Sequence, residues 1–429
     1  MRAGFGKIEL PVPAGVGLMG YANREGGAAG VHEPLHARAL VLESGSTRVA
    51  LCTVDLCWVS EGVVAAGRER IAALGAVPAE GVFVSATHTH SRPEDTDPAC
   101  WPEGLDALIE QAVSQACERL EPAGVGVGWG MLHGHAVNRR RLEDPIDPAV
   151  FVIRIDAEDE RPLGVYYSFA CHPAVMGPDN RLVSGDWPAV ASRALEAELG
   201  DGAVAVFGQG ACGDVNPLTP VVQDRLSEGK VVLSTAELRY YGPVEPQFPI
   251  GDRTGGSSAQ ATRMGSAVAQ EVLLVRRGSI PQEVEKLWTR QLKLDGRADG
   301  PPWPPPAADH IARTYRLRRR SDDPLEVMLV GIDGPGIVLV GQPGETFVAT
   351  GVDLRRALRD AGVAHPFVVG YANGYRSYLP PRHAFVDGGY EVGWAWWSHL
   401  SETLQDDIRE RVLEVVQRHA HPDIEGVAS

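Results

Sequence analysis

Short apolar runs that end abruptly in small polar residues recur along this chain, and this pattern constrains the fold more than any other feature. In Gly81–Pro93, Val-Phe-Val leads into Ser-Ala-Thr-His-Thr-His-Ser-Arg-Pro. Leu163–Ala170 leads into Cys-His-Pro, and Ala203–Phe207 into Gly-Gln-Gly-Ala-Cys-Gly-Asp-Val-Asn-Pro. Such runs are typical of buried strands, and ligands gather where the strands of α/β sheets end. The pattern therefore predicts strands whose ends face a common site.

Helical segments alternate with these runs. Ser60–Leu74 has helical spacing, begins with a serine suited to an N-cap and ends before Gly75. Strand and helix alternation predicts an α/β fold of mixed β-sheets covered by helices, with the functional site at strand ends. Residues 1–30 are rich in glycine and small residues, which predicts loops. Further helices are predicted at Leu105–Leu120, Trp187–Leu199, Ser257–Arg276, Thr346–Ala361 and Leu400–Arg418.

The whole chain, residues 1–429, is predicted to form a single domain. Residues 218–258 are irregular and polar, too long for a plain connection, and suit a lid or a pocket wall. Residues 295–307 form a proline-rich excursion. A hairpin is predicted from Val327–Ile332 and Gly336–Val340 around Asp-Gly. We expect the strands on both sides of the proline-rich run to join one core.

Charge and hydropathy exclude several functional classes. The formal net charge of −16 argues against nucleic acid or an anionic membrane as the general partner. No apolar run is long enough for stable membrane insertion, and the first residues do not resemble a secretory signal, so a cytoplasmic location is expected.

The six cysteines form no C-x-x-C pair and are expected to be reduced. A homo-oligomer is possible.

Two histidines, His88 and His90, follow the strand predicted after Gly81. Side chains two residues apart in an extended segment face the same way, so one imidazole could bind a metal while the other orients what the metal holds. A pair of solvated loop histidines fits the short pattern equally well. His172, Glu345 and a tyrosine cluster also follow apolar runs. Two imidazoles and a carboxylate are a familiar set for catalytic zinc, although unrelated loop residues would give the same spacing.

Seven motifs occur in the order seen in the neutral, non-lysosomal ceramidases, and the chain resembles their catalytic domain over most of residues 15–395. The most specific of them is Ser-Ala-Thr-His-Thr-His-Ser. The full set is Gly20-Tyr-Ala, Gly30-Val-His-x-Pro-Leu-His-Ala-Arg-Ala, Ser85-Ala-Thr-His-Thr-His-Ser-x-Pro, Val137-Asn-Arg, Phe169-Ala-x-His-Pro, Gly213-Asp-Val-x-Pro and Pro343-Gly-Glu-Thr.

The resemblance implies a zinc-dependent amidohydrolase that cleaves an N-acyl amide with metal-activated water. By motif, the zinc ligands fall on His88, His172, Glu345 and Tyr378. The residues implied to surround the scissile amide are His90, Arg139 and Tyr390. Each of these also has a plainer interpretation: His90 could only orient a ligand, Arg139 could pair with a structural carboxylate, and Tyr390 could be a packed aromatic.

Three departures from the family pattern affect the expected substrate more than the expected reaction. Asn216 replaces a serine that lines the family's site, and a carboxamide can donate hydrogen bonds but cannot act as a nucleophile. Leu-Pro-Pro follows Tyr378 where the family has Thr-Thr. In a sequence of 429 residues, no counterpart of the family's β-sandwich domain is expected. A small-molecule N-acyl substrate is expected, ceramide-like or smaller and soluble. An esterase, lactonase or lyase on the same scaffold, or a non-catalytic metal-binding protein, are the alternatives.

Overall fold

The computed structural model describes residues 1–21, 24–93, 100–101, 103–141, 143–220, 222–223, 256–299 and 324–421, apart from the side chains of residues 396 and 397. Most of the predicted lid or pocket wall (224–255) and the proline-rich run from residue 300 onward lie outside the described residues. The helices are α1 Glu61–Ala73, α2 Leu105–Glu118, α3 Asp186–Leu199, α4 Ser258–Gly278, α5 Val348–Asp360, α6 Arg382–Asp387, α7 Tyr390–Trp397 and α8 Leu404–Ala420.

The strands of the described residues are β1 Arg2–Leu10, β2 Leu18–Met19, β3 Gly30–Val31, β4 Leu35–Ser44, β5 Thr47–Val54, β6 Val82–Ala86, β7 Arg92–Pro93, β8 Glu121–Met131, β9 Ala136–Asn138, β10 Ala149–Ala157, β11 Pro162–Phe169, β12 Leu182–Val183, β13 Val204–Gln209, β14 Val215–Pro217, β15 Lys286–Leu294, β16 Leu325–Asp333, β17 Ile337–Gly341, β18 Glu345–Thr346, β19 His365–Val369 and β20 Tyr378–Leu379.

Two mixed sheets organise the molecule. The larger has eight strands in the order β13-β11-β10-β8-β1-β4-β5-β6, and the smaller has four in the order β15-β16-β17-β19. Most neighbours are antiparallel, but β5 with β6, β11 with β13, and β17 with β19 are parallel. This confirms the predicted α/β class with mixed sheets.

The two sheets pack face to face, and helices cover their outer faces. Leu40 and Leu51 of the large sheet share one apolar cluster with Val330, Leu339 and Phe367 of the small sheet. The alternate residues of β4 and β5 point the other way, into a second cluster with α2, α3 and α4. A third cluster joins the small sheet to α5 and α8. The layers therefore run helix, sheet, sheet, helix, as expected when both faces of each sheet must be buried.

The prediction that residues 1–30 form loops is wrong for their first part, where Arg2–Leu10 is a nine-residue strand. The glycines that suggested a loop have a packing role. A Cβ atom at Gly4 or Gly6 would collide with the carbonyl oxygens of Ala116 and Ala112 on α2. Glycine in a strand often marks such a close backbone approach, and here it allows α2 to lie directly on β1.

The carboxyl ends of the parallel pairs meet at one place. β6 leads into His88, β11 into His172, and β17 into Glu345. The sheets are joined there, because Ala86 N donates to Tyr371 O (3.1 Å) and Asn373 N donates to Val84 O (2.7 Å). The strand ends that carry these three predicted site residues therefore lie together in the fold.

No helix among the described residues is both long enough and apolar enough to cross a membrane.

Candidate metal centre

Three potential ligand atoms converge at the strand ends. The Nε2 atoms of His88 and His172 lie 3.4 Å and 3.3 Å from Oε2 of Glu345. All three residues are about 1% exposed. Their ligand atoms lie within 4.8 Å of one another. Two imidazole nitrogens and one carboxylate oxygen at such distances can bind a single cation.

Hydrogen bonds to the backbone fix which nitrogen of each histidine faces the centre. His88 Nδ1 donates to Cys57 O at 2.7 Å, and His172 Nδ1 donates to Cys212 O at the same distance. In a neutral imidazole this leaves a lone pair on Nε2. In this tautomer Nε2 can bind a metal. The donor set therefore fits a divalent metal such as zinc.

The charged groups at the centre shift the pKa values of its three potential ligands in different directions. Burial opposes ionisation of Glu345, but His88 and His172 outweigh it and hold the pKa of Glu345 well below its usual value. Burial also opposes the charged form of His88, yet Cys57 and Glu345 raise the pKa of His88 to about 10. Burial, assisted by Arg139, lowers the pKa of His172 to about 4. The buried carboxylate thus stabilises a positive charge beside it, a property that suits a cation site.

Three tyrosines from the segment after β19 surround Glu345. The hydroxyl of Tyr375 donates to Oε1 of Glu345, and that of Tyr371 lies 3.4 Å from Oε2. The Tyr371 ring also stacks on His88, with centroids 4.0 Å apart. Tyr378 is placed next to Glu345 by the parallel pairing of β18 and β20. Burial raises the pKa of Tyr378 well above its usual value, so it is a neutral phenol.

Arg139 connects the metal centre to Asn216, Tyr378 and Tyr390. Its Nη1 donates to Asn216 Oδ1 at 3.1 Å, and its Nη2 donates to the Tyr378 hydroxyl at 3.0 Å. Nη1 also lies 3.4 Å from His172 Nε2. The Tyr390 ring lies 6.0 Å from the guanidinium carbon and 5.6 Å from the Tyr378 ring. Arg139 is itself buried, so its donors are already oriented.

His90 lies beside the three converging ligands. Its Nε2 is 3.2 Å from His88 Nε2, and its ring packs edge-on against Tyr21. Burial and the nearby His88 and His172 lower the pKa of His90 well below its usual value, which keeps this imidazole neutral. The structure thus brings together all eight side chains that the sequence indicated, although their roles stay predictions.

Several residues of the site escaped the sequence analysis. Gln209 at the end of β13 donates to Thr87 O and Cys171 O, both at 3.1 Å, and so holds together the two loops that carry His88 and His172. Cys57, which was expected only to be reduced like the other cysteines, has its Sγ 3.5 Å from His88 Nδ1. All six cysteines are free thiols, in agreement with the prediction.

Asp214 and Glu391 were also missed. Asp214 accepts from Asn138 Nδ2 at 2.9 Å and from Val348 N at the start of α5 at 2.8 Å. Burial raises the pKa of Asp214 to about 6. Glu391 accepts from Arg139 Nε at 2.8 Å. The Gly-Asp motif could have indicated Asp214, whereas Glu391 has no signal beyond its position next to Tyr390.

The backbone near the centre is unusual at four non-glycine residues. The φ angles are 70° at His88, 54° at Tyr371, 57° at Asn373 and 68° at Ser377. These values lie in the left-handed region, where the chain turns sharply. They place His88 at the turn that follows β6 and bring Tyr371 against it.

A comparison with protein-family models identifies the family. The model described as "Neutral/alkaline non-lysosomal ceramidase, N-terminal" matches residues 2–286, about two-thirds of the chain. The chain belongs to this family. The resemblance inferred from the seven motifs is therefore confirmed, and family membership identifies the chain as a hydrolase that acts on an amide bond.

Relatives in the ceramidase family extend the similarity beyond the matched region. The neutral ceramidase of Mycobacterium tuberculosis is 25% identical over 89% of this chain and 71% of its own length. That of Pseudomonas aeruginosa is 25% identical over 91% of this chain and 68% of its own length. The crystal structure of the Pseudomonas aeruginosa enzyme superposes with a TM-score of 0.77 at 21% identity, over all of this chain and 76% of that one. At this identity the superposition establishes the shared fold.

Proposed function

We propose that this chain is a zinc-dependent amidohydrolase that cleaves an N-acyl amide, either ceramide-like or smaller and soluble. The observation that carries the proposal is the convergence of His88 Nε2, His172 Nε2 and Glu345 Oε2, with both Nδ1 hydrogens donated to backbone carbonyls. Tyr378, which accepts from Arg139, is proposed as a fourth and weaker ligand. Zinc bound at such a site supplies an activated water near neutral pH and polarises a carbonyl.

The remaining pocket residues have roles that follow from their donors. Attack on an amide carbonyl develops negative charge on its oxygen, and fixed hydrogen-bond donors stabilise that charge. Arg139 is cationic and already held in place. Because Asn216 accepts from Arg139 through Oδ1, its Nδ2 group is the part of the side chain that can donate to a substrate. Tyr390 is proposed to line the same pocket.

Proton transfer is assigned to His90. Its Nε2 atom faces the centre, 3.2 Å from His88 Nε2, while its Nδ1 atom is buried and has no hydrogen-bond partner among the described residues. As a neutral imidazole it can take a proton from the attacking water and give it to the departing nitrogen, as general base and then general acid. Asn216 stands where a nucleophilic serine would be needed for an acyl-enzyme route, so direct attack by water is favoured.

The first test combines metal analysis with a substrate series. We expect about one zinc per chain in the purified protein, and hydrolysis of N-acyl amides over a series of acyl chain lengths. His88→Ala and Glu345→Gln should each lose the metal and reduce kcat/KM by a factor on the order of 10³ or more, because an incomplete ligand set cannot hold the cation.

His419→Ala is the matched control, because His419 forms a histidine–carboxylate pair with Asp333 (2.9 Å) at a place unconnected to the centre. It should keep both metal and activity. Retention of zinc and activity by His88→Ala would refute the ligand assignment. Faster cleavage of matched esters than of amides would instead favour an esterase or lactonase, and a bound metal without any turnover would favour a binding protein.

The cytoplasmic location, the single-domain organisation and a possible homo-oligomer stay proposals. Cell fractionation, limited proteolysis and light scattering of the full chain test them in turn.

A further inference from the structure

Glu391 is a buried carboxylate outside all the motifs that pointed to the site. It is the second residue of α7 and is 4% exposed. Oε1 accepts from Arg139 Nε at 2.8 Å, and Oε2 accepts from Arg140 Nη1 at 2.7 Å. Arg140 Nη2 donates in addition to Gly388 O at 2.8 Å. Glu391 therefore links two consecutive arginines after β9 to the first turn of α7.

The contact with Nε determines where the rest of the Arg139 side chain points. A guanidinium is planar and rigid, so fixing Nε fixes the directions in which both terminal nitrogens donate. Those nitrogens reach Asn216 Oδ1 and the Tyr378 hydroxyl, and Nη1 lies 3.4 Å from His172 Nε2. Glu391 thus acts on the metal-side residues through Arg139, without contacting them.

The charges of the cluster support a role in catalysis. One carboxylate between Arg139 and Arg140 leaves one net positive charge, which suits a pocket where an oxyanion develops. The carboxylate lies at the N-terminal turn of α7, where the helix dipole also favours negative charge. Burial disfavours ionisation of Glu391, but the two arginines outweigh it and lower the pKa of Glu391 below its usual value.

We propose that Glu391 is a positioning residue for amide hydrolysis, holding the Arg139 guanidinium so that its terminal N–H groups face the substrate carbonyl. Tyr390, its neighbour on α7, is brought to the pocket by the same helix turn. The inference rests on the proposed function for the role of Arg139, while the geometry that links Glu391 to Arg139 is independent of it.

Glu391→Gln is the decisive variant, because it keeps the shape of the side chain and removes its charge. We expect kcat to fall about 10- to 100-fold, as for other residues that orient an active group, with KM changed less than about twofold. Zinc content should stay that of the wild type, since Glu391 touches none of the proposed ligands.

Glu326→Gln is the matched control. Glu326 is 5% exposed and lies between Arg68 (2.8 Å) and Lys293 (2.6 Å), so it is another buried carboxylate that bridges two cations. The control should lower the melting temperature to a similar extent and leave kcat unchanged. Equal effects of the two variants on kcat would overturn the proposal, because they would show that Glu391 acts only through stability.

A measurement without substrate separates this proposal from the proposed function. In ¹⁵N-labelled protein, the Nε–H resonance of Arg139 can be assigned by its loss in Arg139→Lys. Glu391→Gln should shift this resonance and speed the exchange of the Nε–H proton with water, while Glu326→Gln should leave the resonance in place.

If the wild type cleaves esters only, the kinetic comparison of the same variants is made on the ester. The amide assignment then fails, but an unchanged resonance in Glu391→Gln is what would refute the positioning role.

Discussion

At the scale of single residues, the two oxygens of Glu345 have different partners. Oε2 faces the imidazoles, and Oε1 accepts from Tyr375, whose ring stacks on Trp58 with centroids 4.9 Å apart. A hydroxyl that holds the second oxygen orients the carboxylate toward a metal. Tyr375→Phe keeps the stacked ring and removes this hydrogen bond. We expect zinc affinity, measured by chelator competition, to fall about 10- to 100-fold.

Tyr167→Phe is the control for this prediction. Its hydroxyl is bonded to Ser192 Oγ at 2.9 Å under α3, and it is fully buried. The control should lose some stability, about 1 kcal/mol, as is typical for a deleted hydrogen bond, and keep its zinc affinity. An unchanged affinity in Tyr375→Phe would mean that Glu345 is oriented by the backbone and the imidazoles alone.

Some residues of the site could be identified from the sequence alone, and others could not. His88 and His90 could be found because a strand end and a compact motif coincide. Glu391 could not, because its local sequence resembles that of an ordinary surface glutamate. Gln209 lies in the glycine-rich run that follows Phe207, but nothing in that run indicates a role for the glutamine itself. Their importance comes from contacts with Arg139 and Thr87, which are remote in sequence and meet only in the folded chain.

At the scale of elements, β1 and α2 are in direct backbone contact. Gly6→Ala should destabilise the protein by about 1–3 kcal/mol, the usual effect of overpacking, because its Cβ would collide with Ala112 O. Gly62→Ala in α1 is the matched change, since no atom lies within 4 Å of the added Cβ. It should stabilise by up to about 1 kcal/mol, because alanine favours a helix more than glycine does. Denaturant unfolding measures both.

Equal free energies of unfolding for the two glycine variants would contradict the account of β1 packing. The same close packing is the reason why the loop prediction failed for residues 2–10. A high glycine content predicts loops, whereas here the missing side chains allow a helix to approach the strand closely. The strands themselves were found from their apolar runs, but the order of the eight-stranded sheet could not be, because it depends on pairings such as β1 with β8 between distant segments.

At the scale of the whole molecule, acid stability depends in part on His36. Burial, then Arg38 and Lys7, lower the pKa of His36 from 6.5 to about 3. Asp55 lies 4.0 Å from its Nδ1, but that carboxylate is already paired with Arg38 at 2.8 Å. Between pH 6.5 and pH 3 the unfolded state therefore binds more protons at this residue, so stability falls as pH falls through this window.

His36→Gln removes this titration. We expect the melting temperature of the wild type to fall further than that of the variant when the pH is lowered from 7 to 4.5. Parallel losses in the two proteins would show that His36 is protonated in the folded state, and that the acid response comes from other groups.

The left-handed backbone at His88, Tyr371, Asn373 and Ser377 links the stability of this protein to the rigidity of its site. At His88, Tyr371 and Ser377 this conformation costs about 1–2 kcal/mol each relative to a right-handed one, whereas asparagine tolerates it better. Conformational strain is therefore concentrated where the chemistry is expected. The core between the two sheets must offset it. Glycine at these positions would relieve the strain and loosen the turn at the same time. Selection for thermal stability alone would therefore favour glycine at these positions, and the site would become less rigid.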